Sequence, residues 1–463
     1  MLMGFRWAFL PGRARPPGEH PVFVWNNEDA AVAAAHSVDP DRWWAAYGAV
    51  IDRIAPRFAR YEPLRHAGGL MLGMLSGLER KNCWTIAEHR GEVTPDGLQH
   101  LLCRAKWDAD AVRDDLRSYV VDAFGDPDAV LVVDETGDLK KGVHSVGVQR
   151  QYTGTAGRIE NAQVAVFLTY AARRGHALID RALYLPRSWT EDPDRCTAAG
   201  VPDGIEFATK PVLAAAMITR AIEAGVPAGW VAGDEVYGAD PGLRATVRGH
   251  QLGYVLQVAA NRRMPTHAGP IRVDALAAAV PDSAWQAHSA GAGSKGPRYY
   301  AWAWIALLPE HDDQAGQHHL LIRRNHSTGE LAYLRCYSPH PVPLSTLVRV
   351  AGQRWRIEES FQAAKGLTGL DQHQVRRWTS WHRWITLAML AHAFLAVATA
   401  IERDHAPAPA GLIELTVNEF RRLFNALLLG AKHTIHTLLA WSRWRRRHQA
   451  RARECHYRRH QHQ

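Results

Sequence analysis

The chain has 463 residues, 47% of them hydrophobic and 22% charged, with a formal net charge of +9. This composition excludes a wholly disordered or fibrous protein and supplies apolar residues for two or three domains. The charge is uneven, because residues 441–463 (WSRWRRRHQARARECHYRRHQHQ) hold eight Arg against one acid, Glu454, and so seven of the nine net charges. Such a run is either an electrostatic footprint for a polyanion or a disordered tail that binds nucleic acid loosely. The five cysteines, Cys83, Cys103, Cys196, Cys336 and Cys455, are far apart and form no CxxC. That argues against a disulfide framework or a thiolate zinc site and for a reducing, cytoplasmic setting.

In chain order, residues 1–40 are rich in Pro and Gly, with neither a long apolar run nor a cleavage site. They are expected to be an ill-ordered leader rather than a signal peptide. Residues 41–126 carry apolar residues at three- and four-residue spacing in DRWWAAYGAVIDRI, LRHAGGLMLGMLSGL and DADAVRDDLRSYVVDAF, a helical region. Thr94 and Pro95 form a start signal for one helix, as a capping residue and a first helical residue. NCWTIAEHRG and TPDGLQHLLCRA are either a helix-turn-helix or two core helices.

The character changes at Pro127. Residues 127–260 hold short apolar runs at 129–134 (AVLVVD), 162–172, 177–185, 230–234 and 254–258, with a helix over 210–225. Continuous runs of this kind suit strands buried on both faces, and the mixture of strands and helices indicates a mixed α/β sheet. Residues 261–343 are richer in Gly, Pro, His and Trp; RYYAWAWIALL, HHLLIRRN and LAYLRCYS predict antiparallel strands, a β-rich insertion. Helices return over 344–403. The apolar run 385–401 is shorter than a span of about 20 residues and carries His392, which predicts a buried helix rather than a membrane span. Residues 404–463 are a further helical segment and the basic tail.

Two of the buried strands end in Asp: LVVDETGD at Asp134 and WVAGDEVYG at Asp234. Ligand crevices of open α/β sheets lie outside the carboxyl ends of strands, so the two carboxylates can meet there. Taken singly, each is equally a turn or helix-cap residue. Phosphoaspartyl transfer would need a second Asp two residues after Asp134, where Thr136 stands. On the predicted helix AGQRWRIEESFQAAK, taken at about 100° per residue, Glu358 lies about 40° and Lys365 about 20° round from Arg354, whereas Glu359 lies about 140° away. Phe361 shares the stripe, which points to a face bordering a cleft rather than a solvated ion pair.

With these residues in place, the chain resembles the DDE transposases of bacterial insertion sequences, in the IS-four-like superfamily with a Y-R-E-K signature. Arg354, Glu358 and Lys365 match the Arg–Glu–Lys spacing, and the blocks around Asp134, Asp234 and RWRIEESFQAAKGLTGLDQHQVRRW extend the resemblance from about Phe58 to the tail. The signature Tyr falls on Ala351, so the DNA contact it would make is in doubt. The resemblance implies a ribonuclease-H-like mixed sheet core, an N-terminal helical DNA-binding region and a β-rich insertion before the last catalytic helix. It implies that Asp134, Asp234 and Glu358 bind Mg²⁺, for which Mn²⁺ can substitute. Its expected partners are double-stranded DNA, at transposon ends and target, and a second copy of the chain in a homodimer on DNA. A hairpin intermediate stays open.

Arg354 and Lys365 would then hold phosphates. Lys140, Lys141, Arg150 and Arg158, with Gly154 and Gly157, are either a flexible phosphate-binding loop or a solvated basic loop. Arg376 and Arg377 are further DNA-binding candidates. Of the 17 Trp most read as core, with Trp378 or Trp381 as candidates to stack on bases. The alternatives are a domesticated DNA-binding protein that has lost catalysis, and a metal-dependent nuclease without strand transfer.

Deleting residues 441–463 is expected to weaken binding to all DNA sequences alike. It is also expected to make the slope of log affinity against log salt shallower, by about 0.9 for each phosphate that the tail neutralises. An unchanged slope in a salt titration would show that the tail is not on the DNA.

Overall fold

The computed structural model describes residues 39–293, 296–309, 315–408 and 413–429. The expected leader, apart from residues 39 and 40, and the whole basic tail lie outside the described residues. The described residues from Pro40 onward make one compact unit.

Five helices come first: α1 (Pro40–Ile54), α2 (Tyr61–Leu75), α3 (Cys83–His89), α4 (Asp96–Cys103) and α5 (Ala109–Phe124). Asn82 caps α3 reciprocally with Thr85, and the Asp108 carboxylate caps α5. Pro95 is the residue before α4 rather than its first residue, and Thr94 Oγ1 accepts the Asp96 N–H. Ile86, Leu98, Leu101 and Leu102 on α3 and α4 are buried, so this pair turns its apolar faces into the core.

Next come β1 (Val130–Leu139), β2 (Gln149–Thr153), β3 (Arg158–Ala171) and β4 (His176–Leu183). They are followed by α6 (Arg187–Thr190), α7 (Pro193–Ala199), α8 (Lys210–Glu223), β5 (Trp230–Gly233), α9 (Glu235–Gly238), α10 (Pro241–Gly249) and β6 (Gly253–Val258). β1 and β3 run past the apolar segments that announce them, because their ends pair with each other and with β2, where burial is partial.

β4 and β1 flank β3 antiparallel; β5 and β6 follow β1 in parallel. The order β4-β3-β1-β5-β6 is a three-stranded antiparallel meander extended by two parallel strands, which is the ribonuclease-H-like arrangement.

Residues 261–343 contribute a small hairpin, β7 (Arg263–Thr266) and β8 (Gly269–Arg272), the helix α11 (Val273–Ala278), and strands β9 (Gln286–Gly293), β10 (Gly296–Ala306), β11 (Gln317–Arg324) and β12 (Leu331–Ser338). These four strands do not stand apart. β12 pairs antiparallel with β6, so the sheet continues β6-β12-β11-β10-β9 to ten strands. A satellite core of Val258, Met264, Val273, Leu320 and Ile322 forms under the small hairpin and α11.

The chain ends its described course in α12 (Leu344–Gln353), α13 (Trp355–Thr368), α14 (Trp378–His405) and α15 (Val417–Leu428). α14 is 28 residues long and apolar enough to cross a membrane, but its most apolar window is 94% buried inside the protein. It packs on β4, α13 and the N-terminal helices. Arg383 on α14 donates to the carbonyls of Leu101, Ala105 and Trp107, closing the C-terminal end of α4, and Glu402 accepts from Arg42 and Trp43 on α1.

Asp180 on β4 is fully buried and joins three elements: it accepts from Arg113 on α5 at 3.0 Å, from Arg220 on α8 at 3.0 Å and from the Arg181 backbone at 2.8 Å. Breaking a buried pair from one side leaves an uncompensated charge. Asp180→Ala is therefore expected to lower unfolding free energy by about 3–5 kcal/mol, read as a fall in the urea midpoint. A midpoint equal to the parent's would show that the arginines find other partners.

Candidate active site

The site is set by strand register. β1 and β5 are parallel with Val133 opposite Gly233, so the next residue of each, Asp134 and Asp234, falls side by side where β5 ends. β1 itself does not end at Asp134, as its sequence suggests, but runs on to Leu139 because it stays paired with β3. The approach is close: a Cβ on Gly233 would lie 2.9 Å from Val133 Cγ2 and 3.2 Å from Tyr237 Cβ. Asp134 accepts the Glu135 N–H at 2.8 Å, and Asp234 caps α9 by accepting the Val236 N–H at 2.9 Å. Burial raises the Asp134 carboxyl to about 8, and the charges of Asp234 and Glu135 add to the shift. Burial likewise raises Asp234, with Glu135 adding to it.

α12 and α13 supply the third part. They are broken by a single turn at Arg354, where one continuous helix is predicted from the sequence. Arg354 Nη1 pairs with Glu358 Oε1 at 2.9 Å, and the Arg354 charge also favours the ionised forms of Asp134 and Asp234. Phe361 packs edge-on against Phe167 at 5.4 Å, and Phe167 is the residue opposite Asp134 on β3. One turn further on, Lys365 Nζ donates to Thr136 Oγ1 at 2.7 Å and stands 3.8 Å from Asp138. The stripe of Arg354, Glu358, Phe361 and Lys365 therefore lies against the sheet beside Asp134.

Glu359 belongs elsewhere. It pairs with Arg356 at 2.7 Å and His176 at 3.3 Å, and the His176 hydrogen bond, helped by Arg356, holds its carboxyl down at about 2.

Among the described residues, no three acidic, His or Cys side chains converge closely enough to hold a metal ion. The Asp134–Asp234 pair fits a hard divalent cation: its donors are all oxygen, and each carboxyl is raised by burial and like charge, which a cation would offset. Glu358 does not close that set, because its carboxylate is taken by Arg354.

The other basic candidates scatter. Lys140 lies 3.4 Å from His373 and its carbonyl, Arg158 pairs with Glu160 at 2.9 Å, and Lys141 and Arg150 are exposed. Arg150 and Arg158 stand on the strands of the β2–β3 hairpin and not in one loop; Gly157, at φ +64°, forms its turn. Arg376 and Arg377 line a cleft of about 460 Å³ with His144, Trp189 and Arg195. Trp381 is buried and Trp378 packs on His382, so neither presents a free ring.

Several residues of the site escape the sequence reading. Glu135 accepts from Lys210 Nζ at 2.6 Å and Tyr237 OH at 2.7 Å, on the sheet face away from α13. The alternation in DETGD is the available signal, since it puts Asp134, Thr136 and Asp138 on one face and Glu135 on the other. Buried His373, which meets Asp138 at 3.2 Å, carries no such local signal.

The site is thus two neighbouring carboxylates on the central parallel pair of a ribonuclease-H-like sheet. Residues 53–278, slightly under half of the chain, match the family described as DDE superfamily endonuclease. The chain is 30% identical over 171 residues to a probable transposase for insertion sequence element IS701 from Microchaete diplosiphon, a stretch covering 36% of this chain and 42% of that protein. The chain thus spans about two fifths of that relative's length. A solved structure described as a piggyBac transposase synaptic complex with hairpin DNA aligns over 85% of this chain and 80% of its own, with 12% identity and a TM-score of 0.38. Over these stretches the chain is similar to DDE superfamily endonucleases and to an insertion-sequence transposase.

The raised Asp134 carboxyl has a consequence for stability. Its folded value lies above the unfolded one of about 3.9, so the folded state binds the extra proton. The stability tied to this group is full below pH 4 and is lost as pH rises through about 8. The melting temperature in EDTA is expected to fall over that window, less steeply in Asp134→Asn, and Mg²⁺ is expected to restore more of it at pH 8 than at pH 6. Equal Mg²⁺ effects at both pH values would argue against cation binding at this pair.

Proposed function

We propose that the chain is a DNA transposase that cuts and joins DNA at insertion-sequence ends in the bacterial cytoplasm, acting as a homodimer on double-stranded DNA. The observation that carries this reading is the β1–β5 register that seats Asp134 beside Asp234, within reach of the charge of Arg354, which in turn is paired with Glu358. Asp134, Asp234 and Glu358 would hold Mg²⁺, or Mn²⁺ in its place, which supplies activation of the attacking oxygen and neutralisation of the leaving one when bound.

The chain's own residues do the rest. Arg354 exchanges its Glu358 partner for a phosphate oxygen of the scissile DNA, which frees the Glu358 carboxylate for the site. Lys365, held by Thr136 at 2.7 Å, places a second positive charge beside the same phosphate. Lys210 and Tyr237 keep Glu135 turned to the opposite face, so it does not compete for the cation. Water displaces the 3′ oxygen of the phosphodiester, leaving a 3′-OH and a 5′-phosphate. The freed 3′-OH then displaces the corresponding oxygen in target DNA and forms the new ester. Lys140, Lys141, Arg150, Arg158, Arg376 and Arg377 contribute to the surface that holds the flanking DNA, with the outward faces of the N-terminal helices.

Asp134→Asn, Asp234→Asn and Glu358→Gln are each expected to lower cleavage of a matched element end by several orders of magnitude while leaving DNA affinity close to the parent's. Glu359→Gln is expected to keep cleavage and to act through stability alone, since its partners are Arg356 and His176. The check is cleavage and strand-transfer product from all four purified variants across Mg²⁺ and Mn²⁺ titrations. An inactive Glu359→Gln beside an active Glu358→Gln would reverse the assignment of the two glutamates. Cleavage without any joined product would reduce the protein to a nuclease.

A further inference from the structure

The face of the sheet that carries Asp134 does not stop at β1. Asp134, Thr136 and Asp138 face Phe167, Ala165 and Gln163 across β3. The same alternation along β3 reaches Asn161 and Ile159, whose partners on β2 are Arg150 and Tyr152. Arg150, Tyr152 and Ile159 thus lie on the catalytic face, beyond the reach of the helices that cover its centre. Tyr152 is 65% exposed and Ile159, directly opposite, is 59% exposed.

An open cross-strand pair of this size is a surface waiting for a partner rather than a packed one. Arg150 and Lys141 are exposed, with no carboxylate paired to either among the described residues. The nearby acid, Glu160, is on the opposite face and already paired with Arg158.

The geometry points to this hairpin as a docking platform for an unpaired stretch of the DNA substrate, with a base stacked on the Tyr152–Ile159 pair and its phosphates on Arg150 and Lys141. The inference rests on the transposase reading and adds a contact to it. Two observations select DNA over a second copy of the chain: the uncompensated positive charge beside the ring, and the continuity of this face with Asp134. Ile159 is eight residues along β3 from Phe167, roughly 26 Å at 3.3 Å per residue. That is about eight nucleotides at 3.4 Å each, so the platform positions flanking DNA and does not touch the reacting phosphate. An aromatic face selects unpaired bases because only these expose a ring to stack on.

The test uses the full chain in EDTA, so that binding is read apart from cleavage. The probes are a fluorescein-labelled duplex of arbitrary sequence and the same duplex with a central bubble of unpaired bases, followed by anisotropy over a range of salt. The parent is expected to prefer the bubble. Tyr152→Ala is expected to lose about 5- to 150-fold on the bubble and little on the paired duplex, without change in salt slope, and Tyr152→Phe to retain the preference. Arg150→Ala is expected to make the slope shallower by about 0.7–0.9. Tyr152→Ala matching the parent on both probes overturns the inference while leaving the transposase reading intact. A parent that binds neither probe overturns both. A Tyr152→Ala chain that sediments as a monomer where the parent is a dimer, with DNA affinity unchanged, assigns the platform to a second copy instead.

Discussion

Two carboxylates side by side on adjacent strands repel each other, and most of this architecture is arranged to keep them there. The parallel pairing of β1 with β5 fixes Asp134 beside Asp234, and Gly233 allows the strands and α9 to pack closely. Backbone N–H groups of Glu135 and Val236 hold each carboxylate's orientation but do not neutralise it. Burial and like charge raise both carboxyls, so the pair is at its most favourable either protonated or bound to a cation. Oxygen-only donors make that cation a hard one.

The nearby positive groups divide the work by face. Arg354 stands over the pair but is committed to Glu358, Lys365 is committed to Thr136, and Lys210 serves Glu135 on the far side of the sheet. Each of the three thus has a partner other than Asp134. The Arg354–Glu358 pair satisfies both charges internally, and on the proposed reading one exchange would supply a phosphate ligand and a carboxylate together. Glu359, one residue away, faces β4 and is held by His176 and Arg356.

Much of this was legible because local chemistry wrote it into short segments. The run AVLVVD suits a strand buried on both faces, and the 40° and 140° offsets of Glu358 and Glu359, at about 100° per residue, put them on different faces of the helix. The sheet extension was not legible. RYYAWAWIALL and LAYLRCYS announce strands, but nothing in either says that β12 will pair with β6, since pairing partners are set by packing far along the chain. The break at Arg354 was hidden because neither Gly nor Pro marks it. The basic residues mislead differently: Arg150 and Arg158 flank two glycines and read as one loop, yet the strands carry them onto opposite faces of a hairpin.

The position of Glu358 depends finally on residues outside the site. α13 ends at Gly369, whose φ of +70° reverses the chain, and a Cβ there would meet the Lys81 side chain at 2.9 Å. The returning α14 locks the reversal from its own side. Trp384 Nε1 donates to the Gly369 carbonyl at 3.1 Å, and Thr368 bonds across to the Ala388 carbonyl at 3.1 Å. α14 is in turn fixed to the N-terminal helices by Arg383 and Glu402. A shift of α14 by one residue would carry α13 about 1.5 Å along its axis, which is enough to part Lys365 from Thr136. The buried polar bonds along α14 therefore act on the site without touching it, and they explain why so apolar a helix keeps Thr386, Arg383 and Glu402 buried among its leucines and alanines. Apolar packing alone tolerates sliding, whereas each hydrogen-bonded group has one register in which it is satisfied.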